Sequence, residues 1–147
     1  MAKEAVRALP FTYVSMAVSM AINTTMGANL LLVDDNDDVR EITALLLRDS
    51  GYNVIEVSSG NAALAALDAD PAIDLLIVDF AMPGMSGIEL LEQARTKHPG
   101  IRAVFITGYV DQTWLKGKFA DEIVVKKPFT MDELAPAVRK ALDRSAG

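Results

Sequence analysis

Five short runs of apolar residues recur along the chain at regular intervals. Three of them contain no polar residue and occupy positions 30–33, 75–78 and 103–106. Two more, at 54–57 and 123–125, are shorter or include a more exposed position. An uninterrupted apolar run of this length is typical of a strand that is buried on both faces, as in a parallel sheet. The pattern therefore predicts five strands.

Helical patterns fill the intervals between the runs. In the first interval, apolar residues recur at steps of three and four, which predicts a helix that buries this face. They are Val39, Ile42, Leu45 and Leu46. Further helices are predicted after Ser59, around 88–94 and from Thr130, where Thr-Met-Asp-Glu is a capping-box pattern. Pro136 should bend the last helix or cost it a hydrogen bond. Residues 108–121 contain two glycines and a weak apolar period, so a helix there should be short.

Strands and helices thus alternate five times. This alternation predicts an α/β fold: a five-stranded parallel sheet with helices on both faces, doubly wound as (βα)5 in the flavodoxin-like manner, with right-handed crossovers. The 147 residues, 51% hydrophobic and 23% charged, have the size and balance of one globular domain. We place that domain at residues 29–147 and treat residues 1–28 as a short N-terminal extension of unknown role.

The extension contains an apolar stretch from Ala8 to Ile22. Its fifteen residues are fewer than the roughly 20 that a membrane-spanning helix needs. The stretch resembles the core of a signal peptide in outline, but Pro10 and scattered Ser and Thr residues weaken that interpretation. Three interpretations stay open: an additional helix or packing arm (or a start site placed too far upstream), the tail of a preceding module, and a targeting segment.

Charge and cysteine content exclude several classes of function. The net charge is −6, whereas DNA binding needs clustered Lys and Arg to replace counterions, so we expect no nucleic-acid ligand. The chain has no cysteine, which excludes disulfides, thiolate metal sites and a cysteine nucleophile. We also expect no membrane contact and a cytoplasmic location.

Polar residues that could bind a ligand or react with it follow four of the predicted strands. Asp34 and Asp35 follow the first strand and Asp79 follows the third. Thr107 ends the fourth strand, and Lys127 follows the fifth. Because functional sites of open parallel sheets lie beyond the carboxyl ends of the strands, these side chains should meet at one edge.

This set of side chains suits phosphoryl transfer. Converging carboxylates need a cation, and oxygen ligands suit Mg2+. A carboxylate beside that ion can attack a phosphoryl group and form an acyl phosphate. The metal and a Lys then offset charge on the phosphoryl oxygens, and a Thr hydroxyl can bond the new phosphate. Each residue alone could equally be an ordinary loop or strand-end residue, and Asp37 and Asp38 are expected to be first-turn helix residues. Their convergence at one edge favours a site.

Four motifs in order carry a resemblance to a known family. They are LLVDDNDDVR, IDLLIVDFAMPGMSGIEL, VFITGY and VVKKPFT. From Asn29 to the end, the sequence resembles the receiver domain of response regulators in two-component signalling, the chemotaxis-regulator (CheY-like) type. The resemblance implies a protein that takes a phosphoryl group from a sensor histidine kinase, including hybrid kinases, or from a phosphotransfer protein. It then alters contacts with a downstream protein target.

The resemblance also implies residue roles. Asp79 would be the phosphoacceptor. Asp35 and Asp79 would bind Mg2+ directly, Asp34 would act mainly through water, and the backbone carbonyl of Ala81 would be a further ligand. Lys127 would pair with the phosphate.

The switch residues implied by the resemblance depart from the common pattern. Thr107 would bond the phosphate and Gly108 would leave room for it. Thr107-Gly108-Tyr109 resembles a subgroup whose fourth strand reads Phe-Ala-Thr-Gly-Tyr and whose partners are often atypical histidine kinases. The usual switch aromatic three positions before the lysine is Val124 here, and Tyr109 is the nearest candidate to replace it. We therefore predict that signalling orders residues 108–121 instead of rotating a ring.

Several other functions compete with this one. A receiver-fold module that binds proteins without phosphorylation is the main alternative. A haloacid-dehalogenase-type phosphatase would need a second Asp where this chain has Ala81, and a flavodoxin-type cofactor carrier would need a phosphate loop after the first strand. We expect no enzymatic activity beyond the protein's own phosphorylation and slow dephosphorylation. A chain without an output domain fits a free-standing regulator or part of a hybrid kinase, and dimerisation stays open.

Overall fold

A computed structural model describes residues 27–108 and 115–144 of the chain. Five strands form one parallel sheet in the order β2-β1-β3-β4-β5. The strands are β1 (Asn29–Val33), β2 (Asn53–Val57), β3 (Leu75–Asp79), β4 (Arg102–Thr107) and β5 (Ile123–Lys126). The helices are α1 (Asp37–Asp49), α2 (Gly60–Ala69), α3 (Gly87–Lys97) and α4 (Met131–Asp143), with one 3-10 turn at Gly117–Phe119.

The predicted strands are confirmed to within one residue at each end. The central strand β3 is buried at all five positions and β4 at five of six, as expected for strands covered on both faces. The edge strand β2 has only half-buried and exposed positions, and in the edge strand β5 buried positions alternate with a half-buried and an exposed one. The α/β prediction with a doubly wound parallel sheet is therefore confirmed.

Side chains alternate between the two faces of the sheet and build two separate cores. On one face, residues such as Leu30, Leu32 and Ile77 pack against α1 and α4. On the other face, residues such as Leu31 and Val78 pack against α2 and α3. Each helix thus covers one face of the sheet. Loops follow the strands at the edge where their carboxyl ends lie.

Short polar side chains start the helices. The Asn36 side chain accepts a hydrogen bond from the Val39 N–H at the start of α1. Ser59 caps α2 and Ser86 caps α3 in the same way. At the predicted cap of α4, the Thr130 N–H donates to the Glu133 side chain. Helix α4 continues through Pro136 without interruption, and the predicted bend or lost hydrogen bond stays a prediction.

The predicted buried face of α1 is wrong. The helix buries Thr43, Ala44 and Leu47. Ile42 and Leu45 are 61% and 65% exposed. The chain carries two stripes at helical spacing, and the stripe with the smaller residues faces the sheet because Ala44 and Thr43 let the helix approach β1 and β2 closely. Periodicity alone could not choose between the two stripes.

The connection between β4 and β5 is described only in part. The 3-10 turn places Phe119 in the core on the face of the sheet that α2 and α3 cover. Two ion pairs connect this region to α3: Arg95 Nη1 lies 2.7 Å from the Glu122 carboxylate, and Lys118 Nζ lies 3.2 Å from the Glu92 carboxylate. Within residues 115–121 the structure has a single 3-10 turn, and the rest of the segment for which a short helix was predicted is not described. Residues 109–114 and the extension up to residue 26 lie outside the described residues.

None of the helices in the described part of the chain combines the length and the apolar character that crossing a bilayer requires.

Candidate functional site

Two neighbouring strands bring three carboxylates together. Asp34 and Asp35 directly follow β1, and Asp79 is the last residue of β3. The two strands are paired with Val33 opposite Val78, so the acids emerge side by side. Oxygen atoms of the three carboxylates lie within 4.8 Å of one another. We call this group the acidic pocket, and it confirms that the predicted acids converge.

The Asp79 carboxylate is buried and held at both oxygens. Its side chain is 8% exposed. Oδ1 accepts a hydrogen bond from the Ala81 N–H at 3.2 Å, and Oδ2 accepts one from Lys127 Nζ at 3.0 Å. A carboxylate fixed in this way presents its oxygens in one orientation, which is what a positioned nucleophile requires.

Lys127 reaches the acidic pocket from the neighbouring end of β5. Its N–H donates to the Thr107 carbonyl at 2.8 Å, which anchors the backbone. Its Nζ lies 3.0 Å from Asp79 and 3.7 Å from Asp34. Three carboxylates against one ammonium leave an excess of two negative charges when all four groups are ionised. The pocket therefore still favours a divalent cation.

Asp34 is the most deeply buried of the three acids, at 2% exposure. Burial raises the pKa of this carboxyl, while the Asn36 N–H at 2.9 Å and Lys127 oppose the rise. The nearby charges of Asp79 and Asp35 raise the pKa further. A cation in the pocket would offset the repulsion among the three carboxylates and favour their ionised forms.

The donor set of the pocket fits a hard divalent cation. All three candidate side chains are carboxylates, the ligands that Mg2+ takes in small number beside waters and phosphate oxygens. Asp35 is exposed, so the pocket has an open side. Thiolate ligands are excluded because the chain has no cysteine.

The remaining predicted residues lie around the same edge. Thr107 is fully buried at the end of β4, one position beyond Ile106, the partner of Asp79 in the sheet. A Cβ at Gly108 would meet no described atom within 4 Å, so there is open space beside it. Val124 in β5 is half-buried and packs against the α2 and α3 side. Tyr109 lies outside the described residues, and the role of the Ala81 carbonyl stays a prediction.

Sequence reasoning missed Arg40. This side chain is 13% exposed and its Nη1 donates to the backbone carbonyl of Asp34 at 2.8 Å. Its other nitrogens lie 2.9 Å from Asp37 and 3.6 Å from Glu56 on β2. Arg40 thus ties α1, β2 and the wall of the acidic pocket together. The signal in the sequence was an arginine beside the acids of the first turn of α1.

Sequence reasoning also missed Gly87. A Cβ there would lie 3.0 Å from the Asp79 carbonyl oxygen and from Phe80 Cα. The Gly87 N–H donates to the Phe80 carbonyl at 2.9 Å. Only glycine lets α3 begin this close to the end of β3, so Gly87 helps to fix the backbone that carries Asp79.

The fold and the pocket together define a class of protein. A doubly wound parallel sheet with paired acids after β1, an acid at the end of β3 and a lysine after β5 is the arrangement of a phosphoryl-accepting signalling domain. The family model described as the response regulator receiver domain matches residues 30–139. The chain belongs to this family, and it is a receiver domain of two-component signal transduction.

Three relatives illustrate the similarity. The chain is 33% identical to the sensor kinase CckA of Brucella abortus over 130 residues, which is 86% of this chain but only 14% of that kinase. It is 33% identical to the response regulator receiver protein CpdR of the same organism, covering 77% of this chain and 95% of that protein. Among solved structures, it resembles the response regulator TrrA of Thermotoga maritima in complex with Mg2+-BeF. The TM-score is 0.70 at 31% identity, covering 78% of this chain and 98% of that one.

Proposed function

We propose that Asp79 accepts a phosphoryl group from a phosphohistidine in a Mg2+-dependent reaction. One observation carries this proposal: the Asp79 carboxylate is held between Lys127 and the Ala81 N–H, beside two further carboxylates. In the reaction an Asp79 oxygen forms a bond to phosphorus while the P–N bond of the phosphohistidine breaks. The bonding electrons return to the imidazole of the donor. The product is an aspartyl phosphate.

The proposed metal ligands are Asp35, Asp79 and the Ala81 carbonyl, with Asp34 acting through water. Asp34 is the most deeply buried of the three acids, whereas Asp35 is exposed at the open side of the pocket, and this difference supports the indirect role of Asp34. Mg2+ would offset negative charge on the phosphoryl oxygens during transfer. The Mg2+-BeF complex of TrrA, at 31% identity, supports the same ion here.

The other predicted residues receive phosphate-directed roles. The ammonium of Lys127 pairs with the phosphoryl oxygens, because it already lies within 3.0 Å of the acceptor carboxylate. The hydroxyl of Thr107 bonds the phosphate and couples it to β4. Open space next to Gly108 accommodates the new group. Tyr109, in place of the ring that Val124 lacks, is the proposed aromatic member of the switch.

The proposed phosphoryl donor is a sensor histidine kinase, with hybrid and atypical kinases included, or a phosphotransfer protein. Similarity to a segment of the sensor kinase CckA and to nearly all of CpdR supports both a relay and a regulator role. The output is a changed contact with a downstream protein in the cytoplasm. Beyond its own phosphorylation and slow dephosphorylation, no further reaction is proposed.

Phosphorylation with a small phosphodonor tests this proposal. Wild type and Asp79→Asn are incubated with acetyl phosphate and Mg2+, and intact mass is measured. We expect one added phosphoryl group in wild type and none in the variant. Asp38→Asn, which changes an exposed acid of α1 outside the pocket, is the matched control and should behave as wild type. No addition to wild type would favour a module that works without phosphorylation.

A further inference from the structure

Phe80 lies between two residues with proposed roles in the acidic pocket. It follows Asp79, whose carboxylate is the proposed acceptor, and precedes Ala81, whose carbonyl is a proposed Mg2+ ligand. The Ala81 N–H already donates to Asp79 Oδ1 at 3.2 Å. Peptide bonds are planar, so each residue has only two soft backbone dihedrals. A change in the two dihedrals of Phe80 would therefore move the Ala81 carbonyl relative to the Asp79 carboxylate.

Both backbone polar groups of Phe80 are bonded to other elements. Its N–H donates to the Ile106 carbonyl of β4 at 2.8 Å. Its carbonyl accepts from the Gly87 N–H, at the start of α3, at 2.9 Å. The backbone of Phe80 is thus tied to β4 on one side and to α3 on the other.

The ring of Phe80 has a fixed contact as well. It is half-buried and meets the Phe105 ring of β4 edge to face, with 6.4 Å between the ring centroids and 74° between the ring planes. This arrangement is one of the favoured geometries of aromatic pairs. Phe105 is fully buried, and its Cε1 atom would lie 3.2 Å from a Cβ at Gly87. Because Phe105 is enclosed in this way, its ring is a firm support for that of Phe80.

The support on β4 stands beside the position where β5 has no ring. Val124 is the partner of Phe105 in the ladder between β4 and β5. Both side chains lie in the core on the face of the sheet that α2 and α3 cover. Of this pair, β4 supplies the ring, and that ring contacts the residue that follows Asp79.

We propose that Phe80 is a positioning residue for the acidic pocket, with the Phe105 ring as its support. The ring pair keeps the Phe80 backbone in the orientation that sets the Ala81 carbonyl at a fixed separation from the Asp79 carboxylate. This inference rests on the proposed roles of Asp79 and Ala81 and adds a residue that acts only through them. Mg2+ should be sensitive to the loss of this positioning, because it requires near-ideal octahedral geometry, whereas Ca2+ tolerates irregular geometry.

The affinities for Mg2+ and Ca2+ test this role without any phosphoryl transfer. Dissociation constants for the two ions are measured by titration calorimetry on the full chain, for wild type, Phe80→Leu and Phe80→Tyr. Tyr52→Leu is the matched control, because it removes a buried ring just before β2, at the opposite edge of the sheet from the pocket. Thermal unfolding in EDTA gives the stability of each variant.

We expect Phe80→Leu to weaken Mg2+ binding by about three- to tenfold and Ca2+ binding by less than about twofold. Phe80→Tyr keeps the ring contact and should bind both ions as wild type does. Tyr52→Leu should lower the unfolding temperature without changing the ratio of the two affinities. An unchanged ratio in Phe80→Leu would overturn the proposal, and so would a wild type that binds no Mg2+.

Phe105→Leu tests the same contact from its other side. It should change the affinity ratio as much as Phe80→Leu does, and the double variant should lose no more than either single variant, because all three lack the same contact. Additive losses would contradict a shared role of the two rings. Intact mass after treatment with acetyl phosphate is measured on the same samples. A wild type that binds Mg2+ but gains no phosphoryl group would refute the proposed acceptor, while the affinity ratio still decides the role of Phe80.

Discussion

The side-chain ammonium of Lys127 lies 3.0 Å from the Asp79 carboxylate, although 48 positions separate the two residues in the sequence. Two different strands deliver them, and the Lys127 N–H is anchored on the Thr107 carbonyl of the strand between. The same ammonium is 3.7 Å from Asp34. Lys127 therefore offsets part of the charge in the acidic pocket before a metal or phosphoryl group arrives.

Replacing Lys127 by Met should separate metal binding from phosphoryl transfer. Removing the ammonium increases the negative charge of the pocket, so Mg2+ affinity should rise by about three- to tenfold. The rate of phosphorylation by acetyl phosphate should fall by at least about tenfold, because a donor to the phosphoryl oxygens is lost. Titration calorimetry and intact mass measure the two effects. Lys126→Met, at the exposed neighbouring position, is the control, and weaker Mg2+ binding by Lys127→Met would contradict the charge argument.

Asp34 should make the stability of the metal-free protein depend on pH. Burial raises the pKa of this carboxyl above its usual value of 3.8. The folded protein then keeps a proton at pH values where the unfolded chain has already released it. The free energy of unfolding contributed by Asp34 is therefore highest below the unfolded pKa and falls as pH rises through the folded pKa.

Asp34→Asn removes this pH-dependent contribution, so it can be measured by comparing the stability of the variant with that of wild type. In EDTA at pH 7, thermal unfolding of the variant should occur at a higher temperature than that of wild type, and the difference should shrink as pH is lowered toward about 4. Added Mg2+ should stabilise wild type more than the variant. Asp38→Asn supplies the baseline for a lost surface charge. A variant that is less stable than wild type in EDTA at pH 7 would refute the assignment.

Arg40 should act as a positioning residue for the acidic pocket. It donates to the Asp34 carbonyl and also contacts Asp37 and Glu56, so it fixes the segment that carries two of the acids. Arg40→Met should slow phosphorylation by about tenfold, the scale of lost support to a ligand residue. Arg48→Met removes an arginine that also contacts Glu56 but lies far from the pocket along α1, and it should have little effect. Equal rates for the two variants would place Arg40 outside the site.

Residues 108–121 should gain protection from amide exchange when the acceptor site is filled. The segment follows Thr107, and its C-terminal part is already tied to α3 through the Lys118–Glu92 pair. Val124 lacks a ring that could rotate, so the change should lie in this segment. Exchange is measured with and without Mg2+ plus beryllium fluoride. Protection that is the same in both states would rule out this form of switching.

Strand positions and strand-end chemistry could be predicted from the sequence because both depend on local signals. Buried parallel strands leave uninterrupted apolar runs, and a parallel sheet brings the ends of its strands to one edge. Asp34, Asp79 and Lys127 could thus be placed together before their distances were known. The sequence order does not predict the 3.0 Å contact between Lys127 and Asp79, but the sheet topology requires the two residues to be close.

The face of α1 and the role of Arg40 could not be predicted in the same way. Helix α1 carries one stripe with Ile42 and Leu45 and another with Ala44 and Leu47, and packing against the sheet decides between them. Arg40 reaches the Asp34 carbonyl only because that choice turns it inward. Both errors thus have one physical cause, the rotation of α1 about its axis, which depends on tertiary contacts.

The measurement that tests the central claim most directly is chemical mapping of the phosphorylated residue. The protein is phosphorylated with acetyl phosphate and Mg2+, reduced with borohydride, which converts an aspartyl phosphate to homoserine, and sequenced by tandem mass spectrometry. We predict homoserine at Asp79 and at no other acid of the pocket. Homoserine at Asp34 or Asp35, or at no position, would contradict the account.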